Sequence, residues 1–229
     1  MNVLASASLL PEPFLRWFDR RGWTARAHQL ELLGKARAGR SVLLIAPTGA
    51  GKTLAGFLPS LVELSAASSA GPASSPRMHS APAPEQSKRA ASDAGGQQVG
   101  PAPPRSRQLV STGRGIRREG GLHTLYISPL KALAVDVARN LERPVAEMGL
   151  PIRIETRSGD TPASKRQRQH RDPPDILLTT PEQLALILAS PDAPYLFGSL
   201  KRVVLDELHA LVTSKRGDLL SLGLARLSR

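Results

Sequence analysis

The chain has 229 residues, enough for one sizeable core with an appendage. A formal net charge of +12 and a pI of about 11.1 favour a polyanionic partner, nucleic acid or an acidic surface. The absence of cysteine excludes disulfides and thiolate metal sites, and no apolar run reaches the ~18 residues of a membrane span. Met1–Leu10 lacks a basic n-region and a long apolar core, so no secretory leader is expected, no membrane partner is called for, and the cytoplasm is the default location.

Leu4 to Asp19 carries Leu10, Phe14, Leu15 and Phe18 at helical spacing, with Pro11 and Pro13 near the start. Gly22, Trp23 and Thr24 break this pattern. Thr24 is placed to N-cap a second helix through Leu33, ending before Gly34 or Gly39. Gln29 lies on that helix, and its amide offers both the donor and the acceptor that an adenine edge needs.

Val42 to Ala46 is a short apolar, β-branched run that reads as a buried parallel strand. Pro47 to Gly51 forms a turn, and a helical pattern follows over Leu54 to Leu64. This is the strand, loop and helix order of a phosphate-binding loop, in which N–H groups at a helix mouth face an anion. Gly49 and Gly51 let the backbone curl without a Cβ in the way. Lys52 is placed for the β- and γ-phosphates and the Thr53 hydroxyl for Mg²⁺. Ala46 stands where the usual pattern has its first glycine.

Ser65 to Gly121 is different material: 35 of its 57 residues are Pro, Gly, Ser or Ala, with eight Lys or Arg against three Asp or Glu. It cannot bury enough apolar surface to offset chain entropy, so it reads as a disordered basic insertion. Folded pattern resumes with a second strand, Leu122 to Ser128. A helix over Leu130 to Glu147 follows, with Leu130, Leu133, Ala134, Val137, Ala138 and Leu141 on one face. Ile152 to Arg157 alternates as a third strand near an edge, and Lys165 to Arg171 is a polar, basic run. Asp175 to Thr180 is a fourth strand. Thr180, Pro181 and Gln183 then read as N-cap, N1 proline and capping-box partner of a helix to about Ala189. Arg202 to Leu208 is a fifth strand, and Leu219 to Leu227 is helical.

Alternating strands and helices predict an α/β domain on a mostly parallel sheet with helices on both faces, whose ligands bind at the carboxyl ends of the strands. The fifth strand ends in Asp206 and Glu207. A carboxylate there, beside a phosphate loop, is where a Mg²⁺ partner belongs, and its neighbour can orient or deprotonate a water.

With these residues the chain resembles the DEXH-box helicases of superfamily two, and most closely the Lhr-like, ligase-associated DEXH-box group. Ala46 to Thr53 resembles their motif I, Asp206 to His209 motif II, Trp23 to Gln29 the Q-motif, Pro129 to Ala134 motif Ia and Thr179 to Leu184 motif Ib. The resemblance implies a first RecA-like domain of the P-loop NTPase fold over 41–64 and 122–229. It would be preceded by Q-motif helices over 1–40 and interrupted by the insertion over 65–121.

For individual residues the resemblance implies ATP held by Gln29, Thr48, Gly49, Ala50, Gly51, Lys52 and Thr53, and Mg²⁺ on Thr53 and Asp206. Lys52, Asp206, Glu207 and His209 would do the catalytic work, His209 coupling ATP to the nucleic-acid side. Lys131, Gly159, Asp160, Thr161, Thr180 and Pro181 would touch the strand backbone, and the subgroup resemblance makes that strand DNA.

The family's motif III does not follow Asp206, and its second RecA-like domain lies outside this sequence, which reads as a partial first domain. Three readings follow. The chain is the N-terminal part of an ATP-dependent DNA helicase, from a truncated reading frame or a split gene whose second helicase domain is separately encoded; it is a non-catalytic ATP- and nucleic-acid-binding fragment; or it is an unrelated P-loop ATPase.

Overall fold

The apolar strand runs come together as one parallel sheet. Strands β1 (Thr124–Ile127), β2 (Ile154–Thr156), β3 (Ile176–Thr179) and β4 (Arg202–Leu205) lie in the order β2-β3-β1-β4. Thr124 pairs with both Ile176 and Arg202, and Ile154 pairs with Ile176. The computed structural model describes residues 9–47, 49–69 and 121–228. These belong to one of two compact units, Met1–Gly71 with Arg118–Arg229; the other, Pro72–Arg117, lies outside the described residues, as does most of the predicted insertion.

Period-two alternation puts the two faces of the sheet into two cores. Tyr126, Ile176 and Leu178 face a core built with α1 (Glu12–Arg20), α2 (Ala27–Arg37), α3 (Lys52–Ser69) and α4 (Lys131–Glu147). Leu125, Ile127 and Leu177 face a second core with α6 (Pro181–Leu188), α7 (Ala193–Phe197), α8 (His209–Val212) and α9 (Lys215–Leu227). The basic run forms α5 (Ala163–Arg171), which follows edge strand β2. Among the described residues no helix is long and apolar enough to cross a membrane.

The largest departure from the sequence reading is Val42–Ala46. It forms no strand: Leu43 is 72% and Ile45 87% exposed, and the segment takes part in no ladder. A strand exists only where a neighbour satisfies its N–H and C=O groups. Among the described residues β4 pairs only with β1, and residues 40–46 and β4 line opposite sides of a cavity of about 940 Å³. The phosphate loop therefore does not grow from a strand end.

Smaller corrections concern helix ends. Helix α3 continues past Leu64 to Ser69, with Leu64 and Ser65 buried, so the first residues of the predicted insertion are helical. Leu130 is an exposed N-cap residue of α4 and stands off its apolar face. Thr24 does not cap α2; the N-cap is Arg26, whose N–H donates to Gln29 Oε1 at 2.9 Å. Helix α2 runs through Gly34 to Arg37, and the chain turns at Gly39, φ 70°. Thr180 is the N-cap of α6, but its side chain makes no capping bond.

Candidate nucleotide site and nucleic-acid face

The loop before α3 has the backbone its glycines permit. Gly49 has φ 78° and Gly51 φ 75°, left-handed values that side-chain-bearing residues adopt at a cost. Ala50 N–H closes a turn on Pro47 O at 3.2 Å, and Lys52 opens α3 with its Nζ 2.9 Å from Ala46 O. The first N–H groups of this 18-residue helix have no intrahelical partner, so the loop offers an anion both backbone donors and an ammonium. Thr48 lies outside the described residues.

The N-terminal end of α2 holds this loop in place. Gln29, 3% exposed, donates from Nε2 to Gly51 O at 3.4 Å, while its Oε1 is taken by Arg26 N–H. Arg26 donates from Nη1 to Gly49 O at 3.1 Å. Both ends of the Gln29 amide are thus engaged inside the chain. Arg26 lies within the Q-motif-like stretch, but its contact with Gly49, 23 positions away, was not read from the sequence.

At the end of β4, Asp206 N–H bonds Ile127 O at 3.0 Å and extends the ladder by one residue. Asp206 Oδ2 accepts from the Tyr126 hydroxyl at 2.5 Å and Oδ1 from Glu207 N–H at 2.9 Å. Burial, followed by the Asp206 contact, pushes the Tyr126 phenol well above its usual range. Glu207 has φ 47°, the one non-glycine residue in the left-handed region among the described residues. Such a residue costs about 1–2 kcal/mol and persists where its surroundings impose it. His209, exposed at the start of α8, lies 3.4 Å from Glu207 Oε2 through Nδ1. Lys52, Thr53, Tyr126, Asp206, Glu207 and His209 all line the cavity between residues 40–46 and β4. The structure therefore brings the flanks of the phosphate loop, Ala46, Lys52 and Thr53, and both carboxylates to one cavity, while Gln29, Gly49, Ala50 and Gly51 are not among its lining residues.

The donor set there is oxygen: a threonine hydroxyl and carboxylates, which suit a hard divalent cation. Among the described residues no group of three His, Asp or Glu could hold a metal alone. One carboxylate with a hydroxyl, substrate phosphates and water is the pattern that Mg²⁺ uses.

The other predicted residues gather at the carboxyl ends of β1, β2 and β3. Lys131, first residue of α4, forms an ion pair with Asp160. Asp160 sits in a turn closed by Thr161 N–H to Ser158 O at 3.1 Å and Ser158 N–H to Thr161 Oγ1 at 2.9 Å. Gly159 faces α6: a Cβ there would lie 3.9 Å from Gln183 Nε2. Thr179 Oγ1 donates to Arg157 O at 2.8 Å, which joins the same turn to β3. Thr180 and Pro181 are buried at the start of α6, where the uncapped N–H groups suit a phosphate oxygen.

Sequence reasoning missed two charged residues beside this face. Arg216 of α9 grips Glu182 of α6, with Nη2 3.1 Å from Oε2, and this contact holds the Glu182 carboxyl down to about 2. Arg157, 8% exposed, has no carboxylate within ion-pair distance among the described residues. Its Nη1 is 3.1 Å from His170 Nε2. A guanidinium can only donate, so His170 Nε2 accepts and the imidazole is neutral. Burial, then the Arg157 charge, lowers the His170 pKa against a smaller upward pull from Asp192.

Residues 26–229 match the protein family described as DEAD/DEAH box helicase. The chain is 33% identical, over 96% of its length, to the ATP-dependent helicase Lhr-Core of Methanocaldococcus jannaschii, of which it covers 22%. It is 35% identical over 96% of its length to the Lhr helicase/uracil glycosylase of Escherichia coli, covering 12% of that protein. Among solved structures, Mycobacterium smegmatis helicase Lhr bound to ssDNA and AMP-PNP matches with a TM-score of 0.67 and 32% sequence identity, over 95% of this chain and 22% of that one. The chain thus spans about a fifth or less of the length of these relatives.

Proposed function

The chain belongs to the DEAD/DEAH box helicase family, and from that premise we propose that it carries the ATP-binding part of a nucleic-acid-stimulated ATPase that acts on DNA. The observation that carries this reading is the convergence of Lys52, Thr53, Asp206 and Glu207 on one cavity. The Lys131, Ser158–Thr161 and Thr180 segments end on the same edge of the sheet.

In this reading Gly49, Ala50 and Gly51 offer backbone N–H groups to the phosphates, with Thr48 beside them, and Lys52 leaves Ala46 O for a phosphate oxygen. Gln29 holds the loop and presents α2 to the adenine. Thr53 and Asp206 would hold Mg²⁺, which supplies charge neutralisation on the phosphates. Glu207 orients the attacking water and takes its proton, and its left-handed backbone sets the direction of that carboxylate. His209, next to Glu207, relays the state of the nucleotide toward α8 and α9.

On the nucleic-acid face, Lys131, Gly159, Asp160, Thr161, Thr180 and Pro181 track the phosphate backbone of a single strand, a positioning role without base readout. DNA is preferred because the relative solved with nucleic acid at 32% identity is bound to ssDNA. Residues 1–40 act as the loop-holding module, 41–64 and 122–229 as the RecA-like domain, and 65–121 as a basic insertion. Strand separation belongs to an assembly with a second RecA-like domain, which supplies further charge to the transferred phosphoryl group.

Binding linkage tests the reading. An ATP analogue with Mg²⁺ should tighten a fluorescent single-stranded DNA by about fivefold or more, and the DNA should tighten the analogue equally, as linkage requires. Lys52→Ala should abolish both effects. Tight analogue binding without any effect of DNA would favour a P-loop ATPase of another kind.

A further inference from the structure

We propose that Tyr126 is a positioning residue for the metal-binding carboxylate, a role that rests on the nucleotide reading above. Tyr126 sits in the middle of β1, in register with Leu178 on β3 and Val204 on β4. Apolar residues fill this layer, and burial alone would be served by phenylalanine. A phenol here carries a hydroxyl into a buried place, which costs free energy unless it is paired. It is paired with Asp206 Oδ2 at 2.5 Å.

The ring cannot swing away. It is 2% exposed and stacks on Phe57 with centroids 5.4 Å apart and planes inclined at 29°. Phe57 lies in α3, five positions after Lys52, so the phenol is wedged between the helix that begins at the phosphate loop and the strand layer that carries Asp206. Ser128, one residue past β1 and fully buried, accepts from Leu130 N–H through Oγ at 3.4 Å at the head of α4.

Asp206 receives one donor on each oxygen, Glu207 N–H on Oδ1 and Tyr126 O–H on Oδ2. Each carboxylate oxygen keeps a further lone pair, so these bonds set the plane of the carboxylate without using up its capacity for a cation. Outer-shell partners of this kind orient a ligand, and their removal costs about 10- to 100-fold in metal affinity or activity.

The test is Tyr126→Phe in the full chain, which keeps the ring and its stacking. Fluorescent mant-ADP is titrated first in EDTA and then, at saturation, with Mg²⁺. The expected result is unchanged metal-free mant-ADP affinity and a Mg²⁺ midpoint raised about tenfold or more. In an Asp206→Asn background the same change should add nothing, because the hydroxyl has lost its charged acceptor. Replacing Tyr126 with 4-aminophenylalanine, which restores a donor at the ring tip, should recover the midpoint, whereas 4-fluorophenylalanine should not.

An unchanged Mg²⁺ midpoint in Tyr126→Phe, with wild-type binding still dependent on Mg²⁺, would overturn this role and leave the nucleotide reading standing. Equal effects of the two ring analogues would overturn it as well. Failure of the wild-type chain to bind mant-ADP would overturn both together.

Discussion

Paired substitutions at Gly49 and Gly51 separate two things the structure asks of the phosphate loop. Both glycines are left-handed, at φ 78° and 75°, so alanine at either position costs about 1–2 kcal/mol of backbone strain. Their surroundings differ: a Cβ at Gly49 meets nothing within 4 Å, whereas a Cβ at Gly51 lies 2.9 Å from Gln29 Nε2. Gly51→Ala must therefore also displace the amide that donates to Gly51 O, a bond worth about 1 kcal/mol.

If the loop is held ready for phosphate by this geometry, its strain appears as a population penalty on binding. Gly49→Ala should weaken mant-ADP about 5- to 30-fold, and Gly51→Ala about fivefold more, from the strain and hydrogen-bond terms together. In a Gln29→Ala background the amide is gone, so the Gly51→Ala penalty should fall to that of Gly49→Ala. The assay is fluorescence titration of all the variants with thermal unfolding alongside. Gly51→Ala no worse than Gly49→Ala, or an extra penalty that survives Gln29→Ala, would refute the claim that α2 holds the loop through Gln29.

Further expectations concern the nucleic-acid face. Lys131→Ala should weaken single-stranded DNA binding across sequences and reduce the slope of log affinity against log salt by about one unit; an unchanged slope would remove Lys131 from the phosphate contacts. The Glu182 carboxyl is held to about 2 against an ordinary 4.5, so its stabilising contribution is full above pH 4.5 and fades as the pH falls to 2. The pair is about two-fifths exposed, so Glu182→Gln should cost under about 1 kcal/mol at pH 6 and only a small fraction of that at pH 2, read by chemical denaturation. His170 titrates below its ordinary 6.5 when folded. Its contribution is thus complete above pH 6.5 and is lost as the pH falls through the folded value. NMR titration of the His170 ring with a midpoint above 6.5 would contradict the Arg157 contact.

How much of this was legible in the sequence depends on where each residue finds its partner. The runs over 124–127 and 176–179 were readable as strands because both of their neighbours in the sheet also lie in this chain, and 202–205 because its apolar residues pack on β1 at the sheet edge. Val42–Ala46 looks equally strand-like, yet a ladder needs a partner edge, and composition carries no information about one. Ser65 read as the start of a solvated insertion; α3 absorbs it because alanine-rich chain stays helical once Leu61, Val62 and Leu64 anchor it to the core.

The site followed the same rule. Lys52, Thr53, Asp206 and Glu207 were legible because their chemistry is local: a glycine-flanked lysine at a helix mouth and carboxylates at a strand end. Arg26, Tyr126, Arg157 and Arg216 were not, because each owes its role to a partner brought close by the fold: Gly49, Asp206, His170 and Glu182. Thr180 was readable as an N-cap by position, but its hydroxyl makes no bond to the α6 backbone.

In the proposed function this chain couples ATP to a nucleic-acid strand through one sheet edge. It is tested most directly by the steady-state ATPase rate of the full chain, with and without single-stranded DNA, beside Lys52→Ala and Glu207→Gln. The expected result is hydrolysis that DNA stimulates and that either substitution abolishes, with Glu207→Gln still binding nucleotide. Hydrolysis that is indifferent to DNA, or that survives Glu207→Gln, would contradict it.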